Sequence, residues 1–254
     1  MSTAEWRARQ AHRSGLRAGN AGQPAVGARL VRAGLAALGW QDDGQGVVPA
    51  QHQALAARMV ITLAYFEAEQ GRADYGLRLL EYAERAVAPA DRGIVLSQRG
   101  LMLLRTGRWA AALVQLAAAE PLVRHDPELL ARVLLNRSVL HLNTGDVGLA
   151  SSDLRRSAAI ARAAGLTLIA AKATQNLGYC DLLRGDIPAA LHTFDIAARA
   201  YQQTAPGILP GLETDRARAL LAAGLAADAA AALDDAIAAF RRQRRDQLVA
   251  EAEL

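Results

Sequence analysis

The chain has 254 residues, of which 52% are hydrophobic and only 4% aromatic, so any sizeable core must be built from Ala and Leu. This composition suits closely packed helices and argues against a β-sandwich. The net charge of +4, from 29 Lys and Arg against 25 Asp and Glu, is too small to require nucleic acid as a partner. One cysteine excludes an internal disulfide framework, and no apolar run reaches the roughly 18 residues of a membrane span. We therefore expect a soluble, cytoplasmic protein without a membrane segment.

Taken in chain order, the sequence predicts helices separated by short turns. Residues 3–20 predict a first helix, and Pro24 opens its partner, which runs to about Leu38. The segment Gly39–Pro49 is the longest break, and its Trp40 is predicted to pack against the end of the first hairpin. Five further helix pairs follow: 50–70 with 73–87, 91–106 with 109–123, 127–144 with 147–164, 167–184 with 187–204, and 208–223 with 226–242.

The last residues do not complete a hairpin. Arg241–Arg245, which contains four arginines, leads into Asp246–Leu254, where an amphipathic helix begins. We interpret the arginines as a solvated turn rather than as a contact with nucleic acid or lipid. We expect the chain to be a fragment of a longer protein, and the half-built end also favours self-association there. We predict one continuous array of hairpins. Its parts are an offset hairpin (1–40), a linker (41–49), five regular hairpins (50–242) and the start of a seventh hairpin (243–254).

A repeat with glycine at each turn underlies this series. The turn glycines are Gly22, Gly71, Gly107, Gly145, Gly185 and Gly224, separated by 49 residues and then by 36, 38, 40 and 39. Small residues recur seven before, five after and twelve after the glycine, and a large apolar residue recurs nine after it. Around Gly185 these positions hold Gly178, Ala190, Ala197 and Phe194. Small residues let two helices approach closely, so the pattern predicts stacked helical hairpins that share one core.

The small–large–small spacing after the turn resembles the tetratricopeptide repeat (TPR). The pair Leu177-Gly178 fits this family, as does Phe194 between Ala190 and Ala197, although Thr174 stands where the family has Trp. The resemblance implies an all-α fold, a right-handed α-solenoid of TPR-like helix hairpins. It also implies a scaffold that binds proteins or extended peptides.

Several stretches resemble the N-terminal TPR region of actinobacterial CHAT-domain proteins, which are caspase-like proteins associated with TPRs. The stretches are Glu69–Arg72, Leu96–Arg108, Leu135–Ser138, Ala164–Leu168, Ala171–Tyr179, Asp215–Leu220 and Phe240–Arg244. The resemblance implies the recognition or regulatory arm of a larger CHAT-type protein. That family's His/Cys domain has no counterpart here, so no catalytic residue is carried over. The alternative is the TPR sensor region of a bacterial transcription regulator.

The sequence offers no convincing catalytic set, and we predict that this chain is not an enzyme. Cys180 is the one thiol, and His141 lies one repeat earlier, about 10 Å away if the helices stack as equivalents. We therefore interpret Cys180 as a small buried core residue. The histidines lack metal-ligand spacing, and Gly15–Gly22 follows no strand, which argues against a phosphate loop. No metal and no cofactor are predicted.

The candidate binding residues come from one face of the first helix in each hairpin. Positions 13, 9, 6 and 2 before the turn glycine share that face by helical spacing, and in a TPR-like stack it would line the concave groove. We call its candidate residues the polar stripe: Arg58, Thr62, Tyr65, Gln98, Arg105, Arg132, Asn136, Asn143, Lys172, Asn176, Tyr179, Asp215 and Arg218.

Amides dominate one column of the polar stripe. Gln98, Asn136 and Asn176 all stand nine residues before a turn glycine. An amide both donates and accepts, so this column predicts contacts with an extended peptide backbone. Arg132 and Lys172 beside it favour an acidic group or a C-terminal carboxylate. The alternative interpretation is a solvated face that binds nothing in particular.

Overall fold

The computed structural model describes residues 2–42, 46–87, 89–243 and 245–253. Within these ranges the regular structure consists of thirteen α-helices and three short 3₁₀ helices, with no β-strand. The predicted all-α fold class is confirmed. The chain forms two compact units, Met1–Val123 and Arg124–Leu254.

The first unit holds three hairpins and the second holds three hairpins and a short helix. The first unit contains α1 (Thr3–Asn20), α2 (Pro24–Ala37), α3 (Gln53–Glu69), α4 (Ala73–Ala86), α5 (Arg92–Arg105) and α6 (Trp109–Val123). The second contains α7 (Pro127–Asn143), α8 (Val147–Ala163), α9 (Thr167–Leu183), α10 (Ile187–Thr204), α11 (Leu209–Ala222), α12 (Ala226–Gln243) and α13 (Asp246–Glu253). These helices begin and end within three residues of the predicted bounds. The larger differences arise where a 3₁₀ turn precedes the helix, as at Ala50–His52.

Each hairpin turn is closed by the residues that the sequence places there. Gly185, at φ 81°, occupies the left-handed region that a side chain would strain, and the other five turn glycines have φ between 71° and 81°. Asp126, Asp146 and Asp186 cap the helices that follow them. The Oδ1 atom of each accepts from a backbone N–H three residues on, at 3.0, 3.0 and 3.1 Å.

The predicted small and large columns pack against each other in the three hairpins whose small residue is glycine. A Cβ placed on Gly178 would lie 2.8 Å from the ring of Phe194, and one on Gly100 would lie 2.7 Å from Leu116. Gly15 has the same relation to Val31, at 2.8 Å. The helices therefore approach as closely as the glycines allow, and a larger residue would have to displace its neighbour.

The break after α2 is packed rather than detached. Trp40 is 5% exposed, and its ring meets Tyr82 of α4 edge-on with centroids 6.1 Å apart. Arg32 of α2 donates from Nε to Asp42 Oδ2 at 2.9 Å. Trp40 also lies in one buried cluster with Leu35 of α2, as predicted for a residue that packs against the end of the first hairpin. Residues 43–45 of the predicted linker lie outside the described residues.

Within each unit, the first helices of successive hairpins lie next to one another. Helix α3 contacts α1 and α5 in the first unit, and α9 contacts α7 and α11 in the second. Residues that share one face by helical spacing, as the polar stripe does, therefore belong to neighbouring helices within each unit.

Candidate binding surface

In the first unit, the polar stripe begins with an ion pair between neighbouring hairpins. Arg58 of α3 donates to both carboxylate oxygens of Asp91, from Nη2 at 2.9 Å and from Nε at 3.0 Å. The Arg58 side chain is 59% exposed, whereas that of Asp91 is 11% exposed. The guanidinium is therefore fixed by a carboxylate beneath it and still faces solvent.

Thr62 joins α3 to α1. Its hydroxyl donates to the Arg58 carbonyl at 3.2 Å, and its Oγ1 lies 2.8 Å from His12 Nε2. When the hydroxyl proton goes to the carbonyl, Oγ1 accepts from a proton on His12 Nε2. Burial lowers the pKa of His12, which favours the neutral ring in this position.

Gln98 carries an unsatisfied group in the first unit. Its side-chain oxygen is buried, and no hydrogen-bond donor reaches it from the residues that the structure describes. A buried acceptor without a donor lowers the stability of the folded chain. Nearby along the stripe, Arg105 binds the Glu69 carboxylate and lies 3.4 Å from the Ala68 carbonyl. Tyr65 is half-buried against the ring of Phe66, with centroids 5.8 Å apart.

In the second unit, α7 and α9 present equivalent residues side by side. Asn136 and Asn176 are both half-buried, and Lys172 is half-buried one turn before Asn176. Arg132, one turn before Asn136, is more exposed and pairs with Glu128 at 2.7 Å within the same helix. Two amides and two cations thus occupy matching positions on neighbouring helices.

A hydrogen-bonded chain fixes the end of this stripe on α11. The Tyr201 hydroxyl donates to Gln175 Oε1 at 2.8 Å, and Gln175 Nε2 donates to Asp215 Oδ2 at 2.7 Å. Arg218 Nη1 lies 3.0 Å from the other Asp215 oxygen. Burial raises the pKa of Asp215, and the Gln175 and Arg218 contacts act against that rise. These hydrogen bonds orient the Asp215 carboxylate within the polar stripe.

The remaining candidates border these groups. Tyr179 of α9 is half-buried and packs against the cluster that contains Tyr201 and Phe194. Asn143, at the end of α7, is exposed. Each unit therefore groups its own share of the polar stripe on adjacent first helices.

The side chains considered for catalysis have different partners. Cys180 is fully buried, and burial raises the pKa of its thiol. His141 instead faces Asp153, with Nε2 3.9 Å from Oδ2. Among the described residues, His, Cys, Asp and Glu form no group of three or more placed to hold a metal ion. No described helix combines the length and the apolar character needed to cross a bilayer.

The sequence-based stripe omitted the first helix. Counting back from Gly22 in the same register gives Arg9, Arg13, Leu16 and Asn20 on α1, and all four are exposed. These positions could have been predicted from the sequence, because Gly22 is one of the turn glycines. No sequence pattern predicts the Tyr201–Gln175–Asp215 hydrogen bonds, since these residues come from three different helices.

No protein-family model and no curated protein matches the chain. Solved structures do match it. One is a STAND protein from Pyrococcus horikoshii with a tetratricopeptide repeat sensor: TM-score 0.66, 15% identity, covering 90% of this chain and 34% of that one. Another is a Rap protein complexed with Competence and Sporulation Factor: TM-score 0.66, 14% identity, covering 100% of this chain and 74% of that one.

A third solved structure is the Rap conjugation gene regulator of plasmid pLS20 in complex with the Phr* peptide. Its TM-score is 0.65 at 13% identity, and the match covers 98% of this chain and 78% of that one. This chain spans about a third of the STAND protein's length. At these identities the likeness shows the fold alone, and the fold is that of TPR-like helical proteins.

Proposed function

We propose that this chain is a TPR-type scaffold that binds a protein or an extended peptide along the polar stripe. The observation that carries the proposal is the matched arrangement in the second unit. Asn136 and Asn176 occupy the same register on two helices in contact, each one turn from a cation. Equivalent amides on packed helices stand about 10 Å apart, so they can pair with peptide groups about three residues apart in an extended ligand.

The charges beside the amides define which ligand fits best. Arg132 and Lys172 offer positive charge at the same register on α7 and α9. A carboxylate, from an acidic side chain or a C-terminus, gains charge-assisted hydrogen bonds there. The Arg132–Glu128 pair is exposed, at 46% and 49%, so a ligand carboxylate competes with a weak interaction.

The first unit contributes the third amide of the column. Gln98 is half-buried on α5, and its side-chain oxygen is buried without a donor among the described residues. The Rap proteins with this fold were solved with Competence and Sporulation Factor and with the Phr* peptide. These likenesses support a peptide or protein as the ligand class for this chain.

The test is a selection of linear peptides of random sequence on the full chain, followed by affinity measurement of the enriched peptides by fluorescence anisotropy. Substituting Asn136→Ala together with Asn176→Ala should weaken the selected peptides by about tenfold or more. The matched control is Gln202→Ala with Gln203→Ala, two exposed amides on α10. Equal affinity for the wild type and the Asn136/Asn176 variant would refute the proposal, as would a selection that enriches no peptide.

We further propose that the scaffold serves as the recognition arm of a larger CHAT-type caspase-like protein. The alternative context is the sensor region of a transcription regulator, and the STAND protein's tetratricopeptide repeat sensor favours a sensor role in general. Sequencing the coding region beyond Leu254 separates the two. A caspase-like domain with paired His and Cys supports the first, and a DNA-binding domain supports the second.

A further inference from the structure

Positive charge is concentrated in the first hairpin. Residues 1–40 contain six arginines and one acidic residue, a net charge of +5, whereas the whole chain carries +4. The remainder of the chain is therefore close to neutral. An asymmetry of this size indicates a surface that meets an acidic partner.

The charge of α1 lies on one exposed face together with two large apolar side chains. Trp6, Arg13 and Arg17 are spaced seven and four residues apart, which aligns them along the helix, and Arg9 and Leu16 flank that line. Trp6 is 50% exposed and Leu16 is 43% exposed. At 1.5 Å per residue the two apolar side chains stand about 15 Å apart along the axis, with Arg13 between them. We call these five residues the α1 face.

The arginines of the α1 face differ in their partners. Arg9 pairs with Glu5 at 2.9 Å. Arg13 and Arg17, by contrast, have no carboxylate within ion-pair distance in the described part of the chain, and Arg17 Nη2 reaches only the Ser14 hydroxyl at 3.3 Å. Their charge is available to a partner.

The α1 face also differs from the equivalent surface of the next two hairpins in the same unit. Arg17 stands five residues before its turn glycine, where α3 has Phe66 and α5 has Met102, 1% and 0% exposed. Those two residues pack into the apolar core. An arginine at this register suits a charged ligand instead, because burying its guanidinium without an acid would be costly.

We propose that the α1 face is a docking surface for an acidic protein segment that carries apolar side chains. Carboxylates of the segment bind Arg13 and Arg17, and its apolar residues cover Trp6 and Leu16. All the residues involved lie in the first unit, so the surface is additional to the Asn136/Asn176 row.

The arrangement fits this occupant better than a bilayer or a nucleic acid. Inserting Trp6 into lipid would take Arg13 and Arg17 with it, because the three share one line, whereas membrane-surface helices keep their charges at the edges of the apolar face. A phosphate backbone would use the arginines but would leave Leu16 without a partner. An acidic segment with apolar side chains uses all of these groups.

The probe is a labelled peptide of about 12 residues built from Glu-Glu-Leu-Phe units, titrated with the full chain by fluorescence anisotropy at low salt. Wild type should bind it, and R13E with R17E should weaken binding about tenfold or more. W6A should weaken it about threefold or more without changing the net charge. The matched control is R162E with R199E, which replaces two exposed arginines of the second unit. This double variant has the same net charge as R13E with R17E.

Each result decides the question. The proposal is supported if R13E/R17E and W6A lose affinity for the probe while their circular dichroism spectra match that of wild type. It is overturned if the probe does not bind wild type, or if the R162E/R199E control loses as much affinity. It is also overturned if a probe with Gln in place of Glu binds equally well. Binding of single-stranded DNA or anionic vesicles in place of the peptide also overturns it. Asn136→Ala with Asn176→Ala should leave probe binding intact, so the two proposals can fail separately.

Discussion

Arg137 and Asp153 form a two-point ion pair that joins α7 to α8. Nε of Arg137 donates to Asp153 Oδ2 at 2.6 Å, and Nη2 donates to Oδ1 at 2.8 Å. Asp153 is only 5% exposed. Its charge is shielded from water, and the Arg137 guanidinium is its main compensation, with Arg156 Nη1 farther away at 3.7 Å from Oδ1. The pair fixes the hairpin whose first helix carries Asn136, one residue before Arg137.

The first prediction concerns this pair. Arg137→Met should lower the free energy of unfolding by about 3 kcal/mol, because it leaves a buried carboxylate without its main partner. Urea denaturation at neutral pH measures the change. Arg132→Met is the control: its partner Glu128 is 49% exposed, so the loss should stay below about 1 kcal/mol. Similar losses in the two variants would contradict the assignment of Asp153 as a buried, dependent charge.

The second prediction concerns the close approach of α9 and α10. Gly178→Ala would place a Cβ 2.8 Å from the Phe194 ring and 3.3 Å from the Ala190 carbonyl. The helices must then move apart, and we expect a loss of about 1–3 kcal/mol in urea denaturation.

Gly211→Ala is the matched control for that substitution. Gly211 is also helical, and a Cβ there meets nothing within 4 Å. The same glycine-to-alanine change should stabilise the chain by about 0.5–1 kcal/mol, because it reduces the freedom of the unfolded state. A destabilising Gly211→Ala or a neutral Gly178→Ala would show that the close approach does not control the outcome.

The third prediction is a pH dependence from His12. Burial lowers the pKa of His12 below its free value, and the neutral ring binds Thr62 at 2.8 Å. The unfolded chain then takes up a proton at higher pH than the folded chain, so stability falls as the pH drops below about 6.5 and levels off below the folded pKa.

The measurement is the free energy of unfolding of wild type and His12→Gln between neutral pH and about pH 5. The difference between them isolates His12 from the carboxylates, which titrate in both proteins. Wild type should lose more stability than the variant over this range. Parallel pH curves would contradict a lowered pKa, and an NMR titration of the ring provides an independent check.

The fourth prediction tests the chain that orients Asp215. Tyr201 is fully buried and donates to Gln175 at 2.8 Å, so Tyr201→Phe leaves a polar oxygen without its donor. We expect a loss of about 1–2 kcal/mol. Tyr179→Phe is the control, because Tyr179 is only half-buried, and its loss should stay within about 0.5 kcal/mol. An equal effect of the two substitutions would mean that Tyr201 contributes through its ring alone.

The sequence alone determined the hairpins. Each turn combines a glycine that adopts positive φ with residues that open the next helix, and these are local properties of the backbone. The contact between Gly178 and Phe194 could also be predicted from the sequence. A close helix pair needs a small residue opposite a large one, and the repeat shows both at constant spacing. Where a 3₁₀ turn replaced the first helical residues, as at Ala50–His52, the pattern carried no distinguishing signal.

Only the tertiary structure decided which partners the polar stripe residues have. The sequence placed Arg58 and Asp215 on one face, but the acid bound to Arg58 comes from the next hairpin, and the amide bound to Asp215 comes from another helix. Helical spacing determines which face a residue occupies. Pairing across helices depends on how far two backbones are apart and on the side-chain rotamers, and neither of these is periodic in the sequence.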